Sequence, residues 1–410
     1  MAHSPKVRLT DEQRFDWLRL IRSENVGPRT FRVLVNEMGG ARAALEALPE
    51  LARRGGAKRP IRIAGPDEVE RELAAARRAG VRFIALGEPE YPPLLRQIDS
   101  APPVLAVKGR DEALQQPAVA IVGSRNASAA GLAFADRLAR GLGEAGYVVV
   151  SGLARGIDLR AHAASVATGA LGVLAGGHAR PYPPEATPIL PRIAEFGAVI
   201  SEMPLEWEPR GRDFPRRNRL VSGLALGVIV VEAARGSGSL ITARFAGEQG
   251  REVLAVPGSP LDPRAEGTND LLRDGATLCA RVEDALAVLD PLRDHHAFDA
   301  LSEDNAEAEE PLWGEQPLLG VNPEETPRAK TSDQFEEPSR RVYDIGEEAT
   351  VALIESLLGP SPVSLDDLAR AAELDVGRVR VAVLLLDVAG RIEHSGGQRV
   401  ALLPASAASE

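Results

Sequence analysis

Six short apolar runs punctuate the middle of the chain, at residues 119–122, 147–150, 171–174, 198–200, 228–231 and 253–256. Each is rich in valine, isoleucine, leucine or alanine and shows no polar alternation. That pattern belongs to strands buried on both faces, because a parallel sheet covered by helices leaves neither face to water. Longer helical stretches separate the runs, so residues 81–290 read as an α/β domain with a doubly wound, Rossmann-like parallel sheet. Most runs are followed directly by Gly, Ser, Pro or Glu. Ligands of such sheets sit at the carboxyl ends of the strands, where these residues fall.

The flanks have other rhythms. Residues 1–80 read as short helices, with Asn25-Val26-Gly27-Pro28 turning the chain between two amphipathic patterns. Such a hairpin either offers unpaired backbone N–H groups to a phosphate or is a plain turn. Residues 291–345 have no periodicity and read as a flexible acidic linker. Residues 346–410 show three helical patterns, at 347–358, 365–374 and 376–389, and then a hairpin over 391–403 around Gly396-Gly397. That order is a winged helix. Arg378 and Arg380 open its third helix, which suits either DNA or a protein partner.

Charge changes the picture once it is located. The chain carries a net charge of −11, and residues 294–338 alone hold 13 acidic and 2 basic side chains, a net of −11. The rest is therefore balanced, and the stretch from Arg210 to Arg219 holds five arginines against one aspartate. Local sign decides whether phosphate is attracted, because charges are screened beyond a Debye length. Other classes are disfavoured by absences. Cys279 is the only cysteine, and the six histidines lack metal-ligand spacing, so no disulfide and no metal site is expected. No lysine follows a glycine, which removes a P-loop, and no Gly-x-Gly-x-x-Gly opens the domain, which argues against a dinucleotide. No cofactor is expected. No run approaches the ~18 apolar residues of a membrane span, and Met1 to Thr10 lead into no apolar stretch, so the expected location is the cytoplasm.

Four constellations carry the candidate chemistry. Gly123-Ser124-Arg125-Asn126-Ala127-Ser128 joins a strand to a helix. Glycine lets a ligand approach, Ser128 caps, the helix start favours an anion and Arg125 offers a phosphate fork. Ser151-Gly152-Leu153-Ala154-Arg155-Gly156-Ile157-Asp158 ends the next strand, with His162 one turn beyond Asp158. That pair serves acid–base work or is a capping carboxylate beside a packed histidine. Phe214-Pro215-Arg216-Arg217-Asn218-Arg219, preceded by Arg210 and Arg212, sets an aromatic among guanidinium groups. Single strands need that combination, since bases stack on the ring while charge follows the backbone. Finally, Glu232 leads through Arg235-Gly236-Ser237-Gly238-Ser239 to Thr242, whose hydroxyls sit at a helix start where phosphate oxygens bind.

Together with Val256-Pro257-Gly258, these motifs resemble the DprA/Smf family over roughly residues 85–280, in family order. The helical amino end, sterile-alpha-motif-like, and the winged-helix tail resemble the family's appendages. The resemblance implies a protein without catalysis that binds and protects single-stranded DNA and loads RecA recombinase onto it during natural transformation. It further implies a homodimer formed through the Rossmann-like domain. The implied DNA site maps to Gly123, Ser124, Arg125, Arg155 and the Phe214–Arg219 segment, and with the motif reading comprises Ser128, Gly152, Arg212, Arg216, Arg217, Asn218, Ser237 and Ser239 as well. One segment departs from the family pattern: Gly177-His178-Ala179-Arg180-Pro181-Tyr182-Pro183 lacks the aspartate expected after Gly-Leu and the asparagine expected after Tyr-Pro. The competing reading is a nucleotide-processing hydrolase of related fold. It requires a second glycine after Pro257-Gly258, where Ser259 stands, and a partner for Glu232.

Overall fold

The computed structural model describes residues 8–303, 347–395 and 399–403. The chain divides into two compact units, one running from Pro66 through the central domain and one combining Leu9–Gly65 with the C-terminal domain. The acidic stretch 304–346 and the Gly396-Gly397 tip lie outside the described residues.

In the first unit the expected runs are strands. Among the described residues nine form one sheet: β1 (Arg82–Ala85), β2 (Val104–Gly109), β3 (Ala118–Gly123), β4 (Val148–Ser151), β5 (Ala170–Val173), β6 (Ala198–Ser201), β7 (Gly227–Val231), β8 (Glu252–Ala255) and β9 (Thr277–Leu278). Their order is β1-β2-β6-β5-β4-β3-β7-β8-β9. Pairing is parallel from β6 to β9, and β1 and β2 add an antiparallel edge. The central strands β3 to β7 are buried along their lengths, which is why they read as unbroken apolar runs. Val119, Ile121, Val149 and Ile229 from the sheet pack with Leu138, Leu142 and Tyr147 in the larger core cluster.

Strand order reverses at β3. The chain builds outward through β4, β5 and β6, then returns to place β7 on the other side of β3. A crevice opens outside the carboxyl ends of the strands at such a switch point. Gly123, the last residue of β3, is required there: a Cβ would collide with the carbonyl oxygen of Val231 on β7.

Two helices lie at the boundaries read from the sequence. The helix Pro66–Ala79 groups by its contacts with the sheet unit, and its Glu72 accepts a hydrogen bond from the Leu205 N–H at 3.1 Å. The helix Val282–Glu303 runs past residue 291, where the linker was expected, because Ala285 and Leu289 anchor it in the core.

The second unit joins segments far apart in sequence. The winged helix has the helices Glu347–Leu357, Leu365–Ala372 and Val376–Val388, with β10 (Val363–Ser364), β11 (Ile392–Ser395) and β12 (Arg399–Leu402) as its sheet. Its third helix packs against the N-terminal helix Ala41–Arg54 and buries Leu385, Leu386 and Val388. Asn25 Nδ2, in the N-terminal hairpin, donates to the Val388 carbonyl at 3.0 Å, and Thr30 Oγ1 donates to Asp387 at 2.5 Å. Gly55 allows the close approach, since a Cβ would meet the Leu385 carbonyl. The hairpin considered for phosphate thus spends its asparagine on the winged helix.

Candidate nucleic-acid interface

Three strand ends form the floor of the site. β3 leads into Ser124-Arg125, β4 into Gly152 to Gly156, and β5 toward the 177–183 loop. The first two turns interlock: Ile157 N–H donates to Ser124 O at 3.3 Å, and a Cβ on Gly156, at φ +80°, would strike that same oxygen.

Beneath them lies a buried charged pair. Arg217 comes from the helix Asp213–Gly223 and donates through Nη1 to Gly152 O and, at 3.0 Å, to Val173 O, the ends of β4 and β5. Its charge is answered by Asp158, whose carboxylate also accepts from the N–H groups of Gly152 and Ala154 at 3.1 and 3.3 Å. Burial lowers the guanidinium to about 10, yet it stays cationic at neutral pH. Burial likewise pushes the Asp158 carboxyl up, against the opposing pull of Arg217 and the hydrogen bonds. His162 is wholly buried and lowered to about 4 by desolvation, so it is neutral. Of the two readings of Asp158 and His162, the geometry selects the structural one. A buried carboxylate that accepts from two backbone amides and feels the Arg217 charge braces the strand ends.

The arginine cluster therefore divides. Arg212 and Arg216 are exposed, whereas Arg217 and Arg219 are buried. Arg219 pairs with Glu202 and donates to Ser100 O at 2.7 Å. Arg217 and Arg219, both expected at the DNA site, spend their guanidinium groups on partners inside the fold. Asn218 accepts from Arg217 Nε at 3.2 Å and donates to Gly238 O at 3.1 Å, linking this helix to the first residue of the helix Gly238–Glu248. Ser237 caps that helix and its hydroxyl meets that of the buried Ser239 at 2.8 Å, so Ser239 also turns inward.

Ser128, also expected at the site, has partners inside the fold. It caps the helix Ala129–Glu144, accepting from Gly131 N–H at 2.9 Å, but its own N–H donates to Glu232 at 2.8 Å and its hydroxyl to the same carboxylate. Gly131 leaves room for that carboxylate, which a Cβ would displace. The anion position at this helix start is filled by the protein's own Glu232, at the carboxyl end of β7. A glutamate held this way is a cap, so the partner that the hydrolase reading required of it is the helix start.

The exposed rim remains. Arg125 and Arg155 are solvent-facing, and Arg155 pairs loosely with Glu185 at 3.8 Å, both side chains more than half exposed. The Arg125 guanidinium lies over the Phe214 ring, 5.3 Å from its centroid. The Tyr182 ring meets Phe214 edge-to-face, with centroids 5.6 Å apart and planes at 73°. The sequence reading placed Phe214 here but not Tyr182; an aromatic between two prolines in a strand-end loop was the available signal. Arg125, Arg155, Arg212 and Arg216 are exposed and Phe214 is half-buried, while Gly123 and Gly152 are buried, the space beside them taken by the Val231 carbonyl and the Arg217 guanidinium.

The family model for DNA recombination-mediator protein A matches residues 82–290, just over half the chain. The chain belongs to this family. Models of a DprA-like N-terminal HHH domain and a DprA winged helix domain match residues 11–75 and 346–398. DNA processing protein DprA of Bacillus subtilis is 41% identical over 248 residues, spanning 60% of this chain and 80% of its own. The putative DNA processing protein DprA of Mycobacterium tuberculosis H37Rv is 32% identical over 364 residues, 85% of this chain and 83% of its own. The X-ray structure of DNA processing protein A from Streptococcus pneumoniae superposes with a TM-score of 0.57 at 31% identity, covering 69% of this chain and 99% of that one. This chain is thus a family member with an α/β core, an N-terminal helix-hairpin-helix domain and a C-terminal winged helix.

Proposed function

We propose that this family member binds single-stranded DNA along the rim formed by Arg125, Arg155, Arg212 and Arg216, without a catalytic step. The observation that carries the reading is the Arg125–Phe214–Tyr182 contact above the strand ends, which sets an exposed cation beside an aromatic pair. Charge holds the backbone and rings receive bases, the two demands of an unpaired strand. In this reading Ser124, Ser237 and Asn218 border the strand, and Gly123 and Gly152 serve beneath it by letting the strand ends pack tightly against Val231 and Arg217. The bound strand is handed to RecA recombinase by a cytoplasmic homodimer. Membership in a recombination-mediator family supports the RecA assignment, and the exposed Leu278 on the edge strand β9 supports pairing of the Rossmann-like domains.

The test is a titration of single- and double-stranded oligonucleotides at several salt concentrations. Arg125→Ala should weaken single-strand binding by ~1.5 to 3 kcal/mol, the value of a charge-assisted hydrogen bond. The salt slope should fall by about 0.7 for each phosphate that the variant no longer neutralises. Unchanged affinity and slope in the folded variant would remove this turn from the site.

A further inference from the structure

We propose that Tyr182 is the base-stacking platform of the single-strand site, with Phe214 as its support. This rests on the reading of the rim as a single-strand site and names the residue that makes it selective. Phosphate contacts alone cannot favour one strand over two, because a duplex presents more charge per length. Selectivity needs an aromatic with free area for an unpaired base.

Phe214 does not have that area. Its ring is half-buried, covered by the Arg125 guanidinium and met by the Tyr182 ring. Tyr182 is 45% exposed. The other candidates fail by position or by occupancy. Phe196, 40% exposed, ends the helix leading into β6 and so lies at the amino ends of the strands. Trp207 donates its indole N–H to Asp213 at 2.8 Å and is covered by Arg210 at 5.2 Å. Tyr147 is buried in the core.

The surroundings of Tyr182 suit the role. It stands between Pro181 and Pro183, whose rings fix φ, so little backbone freedom is given up when a base settles. Phe214 meets the phenol ring edge-to-face, Arg125 lies over that same Phe214, and Arg155 pairs with Glu185, three residues beyond Tyr182. A base on the phenol would have a cation within reach of its flanking phosphates. Stacking on a ring is tolerant of base identity, so this site would take any sequence.

The experiment compares a thymidine oligomer with an abasic oligomer of equal length, each titrated against the full-length protein. Wild type should prefer the thymidine oligomer by roughly 5- to 150-fold per stacked base. Tyr182→Leu should lose that preference while holding the abasic oligomer as wild type does, and Tyr182→Phe should keep it. Arg125→Ala should weaken both oligomers by a similar factor. If Tyr182→Leu keeps the full preference, Tyr182 is not the platform, and the weakening by Arg125→Ala still leaves the single-strand site standing. If wild type binds neither oligomer, the underlying site reading fails and the platform with it.

Discussion

Arg217 lies beneath the strand ends with its charge matched by Asp158, while Arg216, one position earlier, faces solvent. Removing one member of a buried charged pair strands the other, at a cost of ~3 to 5 kcal/mol. Arg217→Met should therefore lower stability by about that amount in a denaturant titration. It should also loosen the Ser151–Gly156 turn, whose Gly152 carbonyl it holds. Arg216→Ala should stay within ~0.5 kcal/mol of wild type in stability, as exposed substitutions do, and weaken oligonucleotide binding. The reverse pattern, a stable Arg217→Met with weak binding, would return Arg217 to the DNA surface. The same logic separates Ser128, committed to Glu232, from Ser124, whose hydroxyl only accepts the Asn126 N–H at 3.1 Å within its own turn.

Among the elements, the third helix of the winged helix is the one whose role shifts most. A recognition helix needs a free face for the major groove. Here Val376–Val388 keeps Arg378 and Arg380 exposed at its start, but its last two turns are buried against the wing and the N-terminal helices. The close seam is at Gly55, where any side chain meets the Leu385 carbonyl. Gly55→Val should destabilise the second unit by ~1 to 3 kcal/mol, the usual cost of overpacking, while single-strand binding by the sheet unit is preserved. Hydrogen exchange would localise the destabilisation to residues 9–65 and 347–403. Protection unchanged there would show that the seam yields without consequence.

At the scale of the whole molecule, pH probes the buried histidines of the sheet unit. His162 and His178 are both lowered to about 4, by burial first, and His178 Nε2 is 3.0 Å from Ala106 O. An unfolded chain holds them near ~6.5. Between those values the unfolded state binds protons that the fold refuses, so stability is full above about 6.5 and falls as pH drops toward about 4. Asp158, raised in the fold, works in the opposite sense as acid is added. The net expectation is a melting temperature that falls from pH 6.5 to pH 4, less steeply in His178→Gln, which keeps a donor but does not titrate. A slope identical to wild type in that variant would mean His178 protonates freely in the fold.

Much of this was legible from the chain alone, because hydrophobic periodicity and turn chemistry are local. The apolar runs became strands within a residue or two, the strand-end glycines and serines fell at the switch point, and the three-domain order followed from changes of period. Composition marked the arginine-rich segment correctly as the charged part of the core domain. Which arginines face water was not local: it depended on how the helix Asp213–Gly223 lies across the ends of β4 and β5. Glu232 reached Ser128 across 104 positions, and Asn25 reached Val388 across 363. Tyr182 came against Phe214 only when its loop and the start of the helix Asp213–Gly223 packed together. A sequence states which groups want burial or a partner; only the folded chain decides which partner is near enough to satisfy them, and so which groups are left for a ligand.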